Sequence, residues 1–210
     1  WLGRNRARIK TMRKKIFFFL SFLFITLFFS KVYAYNINPK DFIQTIVDDA
    51  KQILVATNTK EYKSIKLIEI AKEKVDIQGI GNYSIGKYRK QLNENQKDEY
   101  NALFEKYFLK SFTSRLSDYS DPKIKVISSE VINKNYTIVS SILEATTQKP
   151  EVKINWRVYT KDPENLKIRD LIIEGISLAR TQKEEFSSII DSNSGNINSL
   201  FSKLEEFINN

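Results

Sequence analysis

Cysteine and histidine are both absent from this chain of 210 residues. Their absence excludes disulfides, thiolate nucleophiles, imidazole bases and metal sites built from Cys or His. Ser84 and Ser177 stand in near matches to the G-x-S-x-G nucleophile elbow, but each match lacks one glycine and no histidine is present to activate the serine. The many carboxylates form no motif that would separate an acid from a base. We therefore expect a protein that is not an enzyme and has no catalytic residue, cofactor or metal.

Acidic residues are missing from the first 34 residues, which carry eight Lys or Arg. Basic residues at 13–15 precede an apolar run, Ile16–Phe29, and a cleavage motif at 32–34 stands before Tyr35. The run is shorter than the roughly 20 residues that a spanning helix needs, so a cleavable signal peptide over residues 1–34 is favoured over a membrane anchor. A start at Met12 would leave residues 1–11 outside the protein without changing this interpretation.

Strong basicity is also missing once this leader is set aside. Eight of the 34 Lys and Arg residues lie in it. Residues 35–210 therefore carry 26 Lys and Arg and 25 Asp and Glu, and their net charge is close to zero. The sequence pI of about 9.5 reflects the leader. The remainder of the chain gives no indication of a basic face that binds nucleic acid.

Glycine and proline are scarce, at six and four residues, and no linker rich in them divides the chain. Helical periodicity extends over 38–119, period-2 alternation over 123–174, and helical periodicity again over 177–209. This segregated order predicts an α+β fold. We expect one domain, residues 35–210, with a four-stranded antiparallel sheet covered by helices.

The sheet prediction rests on four alternating segments that begin near residues 124, 136, 152 and 166. In the third segment, Trp156 and its alternate neighbours share one face, which we expect to point at the helices. In the fourth, Asp170 interrupts an apolar face. If Asp170 is buried, it must be hydrogen-bonded or paired with Arg157 or Arg169.

The longest predicted helix ends near Tyr119 and is unusually aromatic. An Asn93-x-x-Gln96 capping box opens it, and Phe104, Phe108 and Phe112 belong to its apolar stripe. Such a stripe is ordinarily a core face. A stripe too broad for the sheet to cover would also line a ligand pocket.

Short motifs follow one another along the chain in a specific order. The pattern D-x-x-x-E-G-x-S occupies residues 170–177 and is followed by K-E-E-F at 183–186. The others are V-D at 75–76, I-G-K-Y-R at 85–89, Q-x-x-x-Y-x-x-x-F at 96–104 and a glycine and leucine pattern at 195–204. In this order, behind a signal peptide, they resemble the MlaC family, also called the toluene tolerance family, of periplasmic phospholipid-binding proteins.

The resemblance implies a cystatin-like arrangement, in which a twisted antiparallel sheet and a helical lobe enclose an apolar pocket. It also implies a periplasmic carrier that shuttles phospholipid between an outer-membrane lipoprotein complex and an inner-membrane ABC transporter, maintaining outer-membrane lipid asymmetry. A carrier is needed because each methylene exposed to water costs about 0.8 kcal/mol, or about 25 kcal/mol for about thirty of them. We expect the tails inside the pocket and the headgroup in water at its mouth.

Eight apolar residues are assigned to the tail-binding wall, because they lie on the inferred inner faces of the long helix and the sheet. They are Phe104, Phe108, Phe112, Val139, Ile154, Trp156, Val158 and Ile172.

Three other interpretations stay open. An exported module of this kind would use an apolar groove to bind a peptide or a partner helix. A related carrier would hold hopanoids or other apolar molecules. A serine hydrolase that uses Ser84 or Ser177 is the weakest of the three.

Overall fold

The structure, a computed structural model, describes residues 37–116, 121–147 and 149–210, so the predicted signal peptide lies outside the described residues. The helices are α1 (Pro39–Val55), α2 (Lys60–Lys74), α3 (Ile77–Ser84), α4 (Glu94–Leu116), α5 (Leu178–Ser192) and α6 (Asn198–Asn209), with a 3₁₀ turn at Gly86–Gln91. The strands are β1 (Ile124–Asn133), β2 (Tyr136–Leu143), β3 (Val152–Tyr159), β4 (Lys167–Ile173) and β5 (Ile176–Ser177). In the described ranges, no helix is both long and apolar enough to cross a membrane.

Polar caps fix where the helices begin. Asn38 caps α1, because its side chain accepts the Lys40 amide at 2.8 Å. The predicted capping box of α4 is confirmed: the Asn93 side chain accepts the Gln96 amide at 2.9 Å, and the Gln96 side chain accepts the Asn93 amide at 3.1 Å. These bonds satisfy amides that a helix start leaves without a partner.

The sheet is antiparallel, as predicted, but it has five strands rather than four, in the order β1-β2-β3-β4-β5. Glu174 and Gly175 both have positive φ, 49° and 83°, and form the two-residue turn that folds β5 back onto β4. The prediction of four strands was wrong because β5 has two residues, too few to show alternation. Gly175 therefore turns the chain into a short strand before α5 begins.

A bulge interrupts the pairing of β3 with β4. The step from Val158 to Arg157 on β3 corresponds to a step from Ile168 to Asp170 on β4, so β4 holds one extra residue at this point. The alternation of β4 is consequently reversed beyond the bulge.

The reversal moves Ile172 to the other face of the sheet. Ile172 pairs with Asn155, whereas Trp156 pairs with Leu171 and Ile154 pairs with Ile173. The prediction that Ile172 shares an inner face with Ile154 and Trp156 was therefore wrong, because simple alternation takes no account of an inserted residue.

The hydrophobic core has two parts. The sheet cluster packs α1 against one face of the sheet and contains Phe42, Ile43, Ile46, Val47, Val126, Val139, Val158, Leu166 and Ile168. The helical cluster joins α3 to α6, and its most fully buried side chains include Tyr100, Phe104, Ile85, Ile190, Leu200 and Leu204. Burial raises the pKa of the Tyr100 hydroxyl, which donates to the Gly81 carbonyl at 2.8 Å.

Candidate functional site

The sheet has one face covered by α1 and a second face whose apolar residues are only half-buried. On the α1 face, Val139 and Val158 are completely buried. We call the second face the groove face; its cross-strand pairs are Ile138 with Arg157, Ile142 with Lys153, and Asn155 with Ile172. The three isoleucines of the groove face are half-buried, so this face retains apolar surface that a ligand can cover.

Asp170 fixes the start of α5 on the groove face. Its buried carboxylate accepts the Ser177 hydroxyl at 2.6 Å and the Ala179 amide at 3.0 Å. The nearest Arg157 nitrogen is 4.0 Å away. The expectation that a buried Asp170 is hydrogen-bonded is confirmed, although its closest partners belong to the start of α5 rather than to an arginine.

Arg169 links β4 to the start of α3 through a second group of polar contacts. Its Nε lies 2.6 Å from the Asp76 carboxylate, and its guanidinium lies 3.7 Å from the centre of the Tyr159 ring. Burial opposes the charge of Arg169, but the hydrogen bonds to Tyr136 and Asp76 outweigh it and raise the pKa of the guanidinium. The helical lobe is thus held to the sheet along β4 by two groups of polar contacts.

Side chains of α4 and α5 meet at two places. The rings of Phe104 and Phe186 meet edge to face with their centroids 6.1 Å apart. One turn further along α4, the Tyr107 hydroxyl donates to the Gln182 side chain at 2.8 Å. The contacts therefore move toward the start of α5 as they move toward the end of α4.

Phe108 and Phe112 occupy this part of α4. Their rings stack with centroids 6.1 Å apart and planes 8° apart. Both are half-buried, whereas Phe104 is 2% exposed. In the described part of the chain, the backbones of α1, α3 and α5 lie close against strands, while α4 packs on α3, α6 and α2. We infer from these half-buried apolar side chains that the candidate site lies between the groove face and the C-terminal half of α4.

The groove face carries charges of both signs beside the isoleucines, on Lys125, Lys153, Arg157, Glu130 and Asp170. Lys153 is exposed and stands opposite Ile142, and the partly exposed Arg157 stands opposite Ile138. The site therefore combines an apolar floor with cations that can contact the anionic group of an amphipathic ligand.

A separate depression of about 610 Å³ lies on the surface of α3 and α5. It is lined by Tyr83, Arg180, Lys183, Glu184, Ser187, Ser188 and Asp191. None of the eight predicted wall residues borders it, and its charged lining would leave acyl tails beside hydrated groups. We therefore do not assign the apolar site to this depression.

The two serines of the near-elbow motifs take part in structural hydrogen bonds. Ser84 is buried and donates to the Ile80 carbonyl at 2.9 Å. Ser177 donates to Asp170 and accepts the Arg180 amide at 3.1 Å as the N-cap of α5. These bonds account for both serines without a catalytic role.

The eight predicted wall residues are divided between the two clusters and the two faces of the sheet. Phe104 lies in the helical cluster, with Phe108 and Phe112 packed against it. Val139 and Val158 lie in the sheet cluster, with Trp156 packed against it. Half-buried Ile154 is on the α1 face and Ile172 is on the groove face. Of the eight, Ile172 lies on the groove face and Phe108 and Phe112 lie on α4, so their meeting at one lipid site stays a prediction.

Sequence reasoning missed Ile138 and Ile142, which form the floor of the groove face. The signal that could have found them is the same period-2 alternation of β2 that selected Val139. Both faces of β2 are apolar, and alternation does not tell which of two apolar faces a helix covers.

An antiparallel sheet with a helix on one face and part of a helical lobe on the other defines this protein as a sheet-and-helix α+β protein. The family described as "MlaC protein" matches residues 41–206. The chain belongs to the MlaC family, and the resemblance drawn from its motifs is confirmed.

A similar solved structure is that of a phospholipid-binding protein from Ralstonia solanacearum in complex with a phospholipid. The two structures have a TM-score of 0.69 at 18% sequence identity, over 82% of this chain and 97% of the other. At this identity, the likeness shows a shared fold. Comparison with curated protein sequences finds no match.

Proposed function

We propose that this protein is a periplasmic phospholipid carrier, exported by its signal peptide. In this role it shuttles lipid between an outer-membrane lipoprotein complex and an inner-membrane ABC transporter and maintains the lipid asymmetry of the outer membrane. The observation that carries the proposal is the family match over residues 41–206. The phospholipid in the Ralstonia solanacearum protein supports the ligand class.

The groove face supplies the apolar surface that acyl tails need. Ile138, Ile142 and Ile172 form its floor, and Phe108 and Phe112 of α4 form the opposite wall. Covering about thirty methylenes is worth about 25 kcal/mol. This is larger than the total stability of a typical domain, about 5–15 kcal/mol. A carrier that leaves these methylenes in water is therefore unworkable, and the apolar surface of the groove face is where the tails would be covered.

Arg157 and Lys153 support a phosphate at the mouth of the site. The planar guanidinium of Arg157 can donate two parallel hydrogen bonds to phosphate oxygens. Lys153 adds a mobile positive charge on the same face. The headgroup would then stay near water while the tails lie against the isoleucines.

Native mass spectrometry of protein purified from the periplasm without detergent tests the ligand class. We expect added masses that match phospholipids, with their identity established by mass spectrometry of the released lipid. Protein that carries no lipid after this gentle extraction would contradict the proposal. A co-purified peptide would favour the peptide-binding interpretation, and a polycyclic lipid would favour the hopanoid carrier.

A double variant, Phe108→Ser with Phe112→Ser, tests the position of the site. We expect its affinity for a fluorescent phospholipid to fall about 30-fold or more, because two aromatic rings no longer cover the tails. Val55→Ser is the matched control, since Val55 is an apolar residue that is 49% exposed at the end of α1. Circular dichroism checks that both proteins are folded. Equal affinities for the double variant and the control would show that the tails bind elsewhere.

Transfer assays test the proposed partners. The lipid-loaded protein is mixed with liposomes that contain the inner-membrane ABC transporter complex and, separately, with empty liposomes of the same lipids. We expect faster lipid transfer to the liposomes with the transporter. Equal rates would be compatible with a lipid-binding protein, but they would contradict the proposal that it shuttles lipid between these complexes.

A further inference from the structure

Strand β1 is an exposed edge of the sheet. Within the described residues, it is first in the strand order and pairs with β2 alone. It is ten residues long, contains no Gly or Pro, and is exposed from Ile127 to Asn133. Val131 is 73% exposed and Ile132 is 53% exposed. Proteins ordinarily shorten, charge or cover such an edge because it pairs readily with another strand.

The register shows which backbone groups of β1 point away from β2. The Glu144 amide donates to the Lys123 carbonyl at 2.9 Å. Counting back from Glu144, every second residue of β2 therefore directs its backbone N–H and C=O groups to β1. The residues of β1 opposite them are Lys125, Ser128 and Glu130. The residues that instead direct their N–H and C=O groups to the open side are Ile124, Val126, Ser129 and Val131.

A bulge makes this open edge complementary to itself. Between Val126 and Ser128, β1 holds one extra residue, Ile127. The outward-directed positions therefore switch there from even-numbered to odd-numbered residues. A second copy of β1 can lie antiparallel about a two-fold axis between Ile127 and Ser128. Open backbone groups then face open backbone groups, and the matched pairs are Ile124 with Val131 and Val126 with Ser129 of the second copy.

The same register places opposite charges across the interface. Lys125 and Glu130 are the two charged residues of β1, and both are exposed. They lie on the groove face, opposite Ile142 and Ile138 of β2. In the antiparallel arrangement, Lys125 stands directly across from Glu130 of the second copy, and the symmetry repeats this pair. Both positions are non-hydrogen-bonded ones, where facing side chains are closest.

We propose that this protein forms a homodimer through β1, with the strands of two copies paired antiparallel about an axis between Ile127 and Ser128. The sheet then continues across the dimer, and the exposed Val131 packs against Ile124 of the second copy. The proposal rests on the edge strand and its charges and does not depend on the lipid-binding function.

Charge reversal tests this register. Sedimentation velocity of the protein purified from the periplasm should show a concentration-dependent dimer. We expect Lys125→Glu and Glu130→Lys each to weaken the dimer about 30-fold, because two symmetric attractions become repulsions. The combination of both substitutions restores opposite charges and should return the dissociation constant to within about threefold of the wild-type value. Lys90→Glu, the same charge change at an exposed site outside β1, is the control and should leave the dimer unchanged.

Cysteine cross-linking gives an independent measurement, because the chain has no cysteine of its own. Ser128→Cys stands next to the proposed axis and should form a disulfide-linked dimer on mild oxidation, whereas Ser188→Cys on α5 should not.

A protein that is monomeric at all concentrations would overturn the proposal. So would a dimer that survives both single charge reversals or that is not cross-linked by Ser128→Cys. A monomer that pairs its β1 edge with the strand of another protein would likewise overturn it.

Discussion

At the scale of single residues, Asp170 is the side chain that joins β4 to α5. Its carboxylate accepts hydrogen bonds from the Ser177 hydroxyl and the Ala179 amide, both at the start of the helix. A carboxylate is favoured at this end of a helix, where the peptide dipoles present partial positive charge. These hydrogen bonds offset the cost of burying the Asp170 carboxylate, and they position the helix that borders the candidate site.

We predict that Asp170→Ala lowers the free energy of unfolding by about 2–4 kcal/mol. The substitution leaves the Ser177 hydroxyl and the Ala179 amide without their acceptor in a buried place, and such losses cost about 1–3 kcal/mol per group. Urea denaturation measures the change. Asp98→Ala, at an exposed position of α4, is the control and should change stability by about 0.5 kcal/mol or less. If the two variants are equally stable, the carboxylate of Asp170 does not hold the helix.

At the scale of secondary-structure elements, α3 and α4 approach each other closely at Gly81. A Cβ atom at this position would lie 2.7 Å from Cδ1 of Phe104. The Phe104 ring is buried and also contacts Tyr100 and Phe186, so it has little room to move. The absence of a side chain at Gly81 is therefore what lets the aromatic face of α4 pack against α3.

We predict that Gly81→Ala destabilises the protein by about 1–3 kcal/mol. An alanine inside a helix is ordinarily favoured over glycine by about 0.5–1 kcal/mol, but here the added methyl group overpacks the core. Urea denaturation of Gly81→Ala, Phe104→Leu and the double variant measures the coupling. We expect Gly81→Ala to cost less in the Phe104→Leu background, because the smaller side chain makes room for the methyl group. A Gly81→Ala protein more stable than wild type would contradict the close approach.

Sequence periodicity was sufficient for elements whose signals are local. The capping box at Asn93 could be predicted because its hydrogen bonds join residues close in the chain. The bulge in β4 could not, because it exists only in the pairing with β3. The strand β5 could not either, since its two residues are defined by their hydrogen bonds to β4.

For the candidate site, periodicity predicts the elements but not how they meet. An aromatic helix and an apolar sheet follow from periodicity, and the assignment of Phe108 and Phe112 to a wall facing the sheet stays a prediction. Which face of the sheet they meet depends on where α1 packs, a long-range choice made by residues such as Phe42 and Ile43. Because β2 is apolar on both faces, the sequence favoured Val139, while the structure leaves Ile138 and Ile142 half-buried.

At the scale of the whole molecule, the sheet cluster and the helical cluster are joined along β4. Arg169 bonds to Asp76 of the helical lobe, Asp170 bonds to the start of α5, and Ile168 pairs with Val75 at the end of α2. In the described part of the chain, α4 packs mainly on α3 and α6. The joined side along β4 is therefore expected to stay fixed, and the α4 side to move, when a ligand enters.

This asymmetry predicts where a bound phospholipid protects the backbone, if the proposed function is correct. Loading should slow amide hydrogen exchange in residues 108–116 of α4 and in β2, because tails between them suppress local opening. Residues 199–207 of α6 are the internal control, since Leu200, Phe201 and Leu204 are already buried in the helical cluster. Hydrogen exchange with mass spectrometry, applied to loaded and delipidated protein, measures both regions. Protection confined to the start of α5, around Arg180 and Lys183, would place the lipid in the polar depression and contradict a site on the groove face.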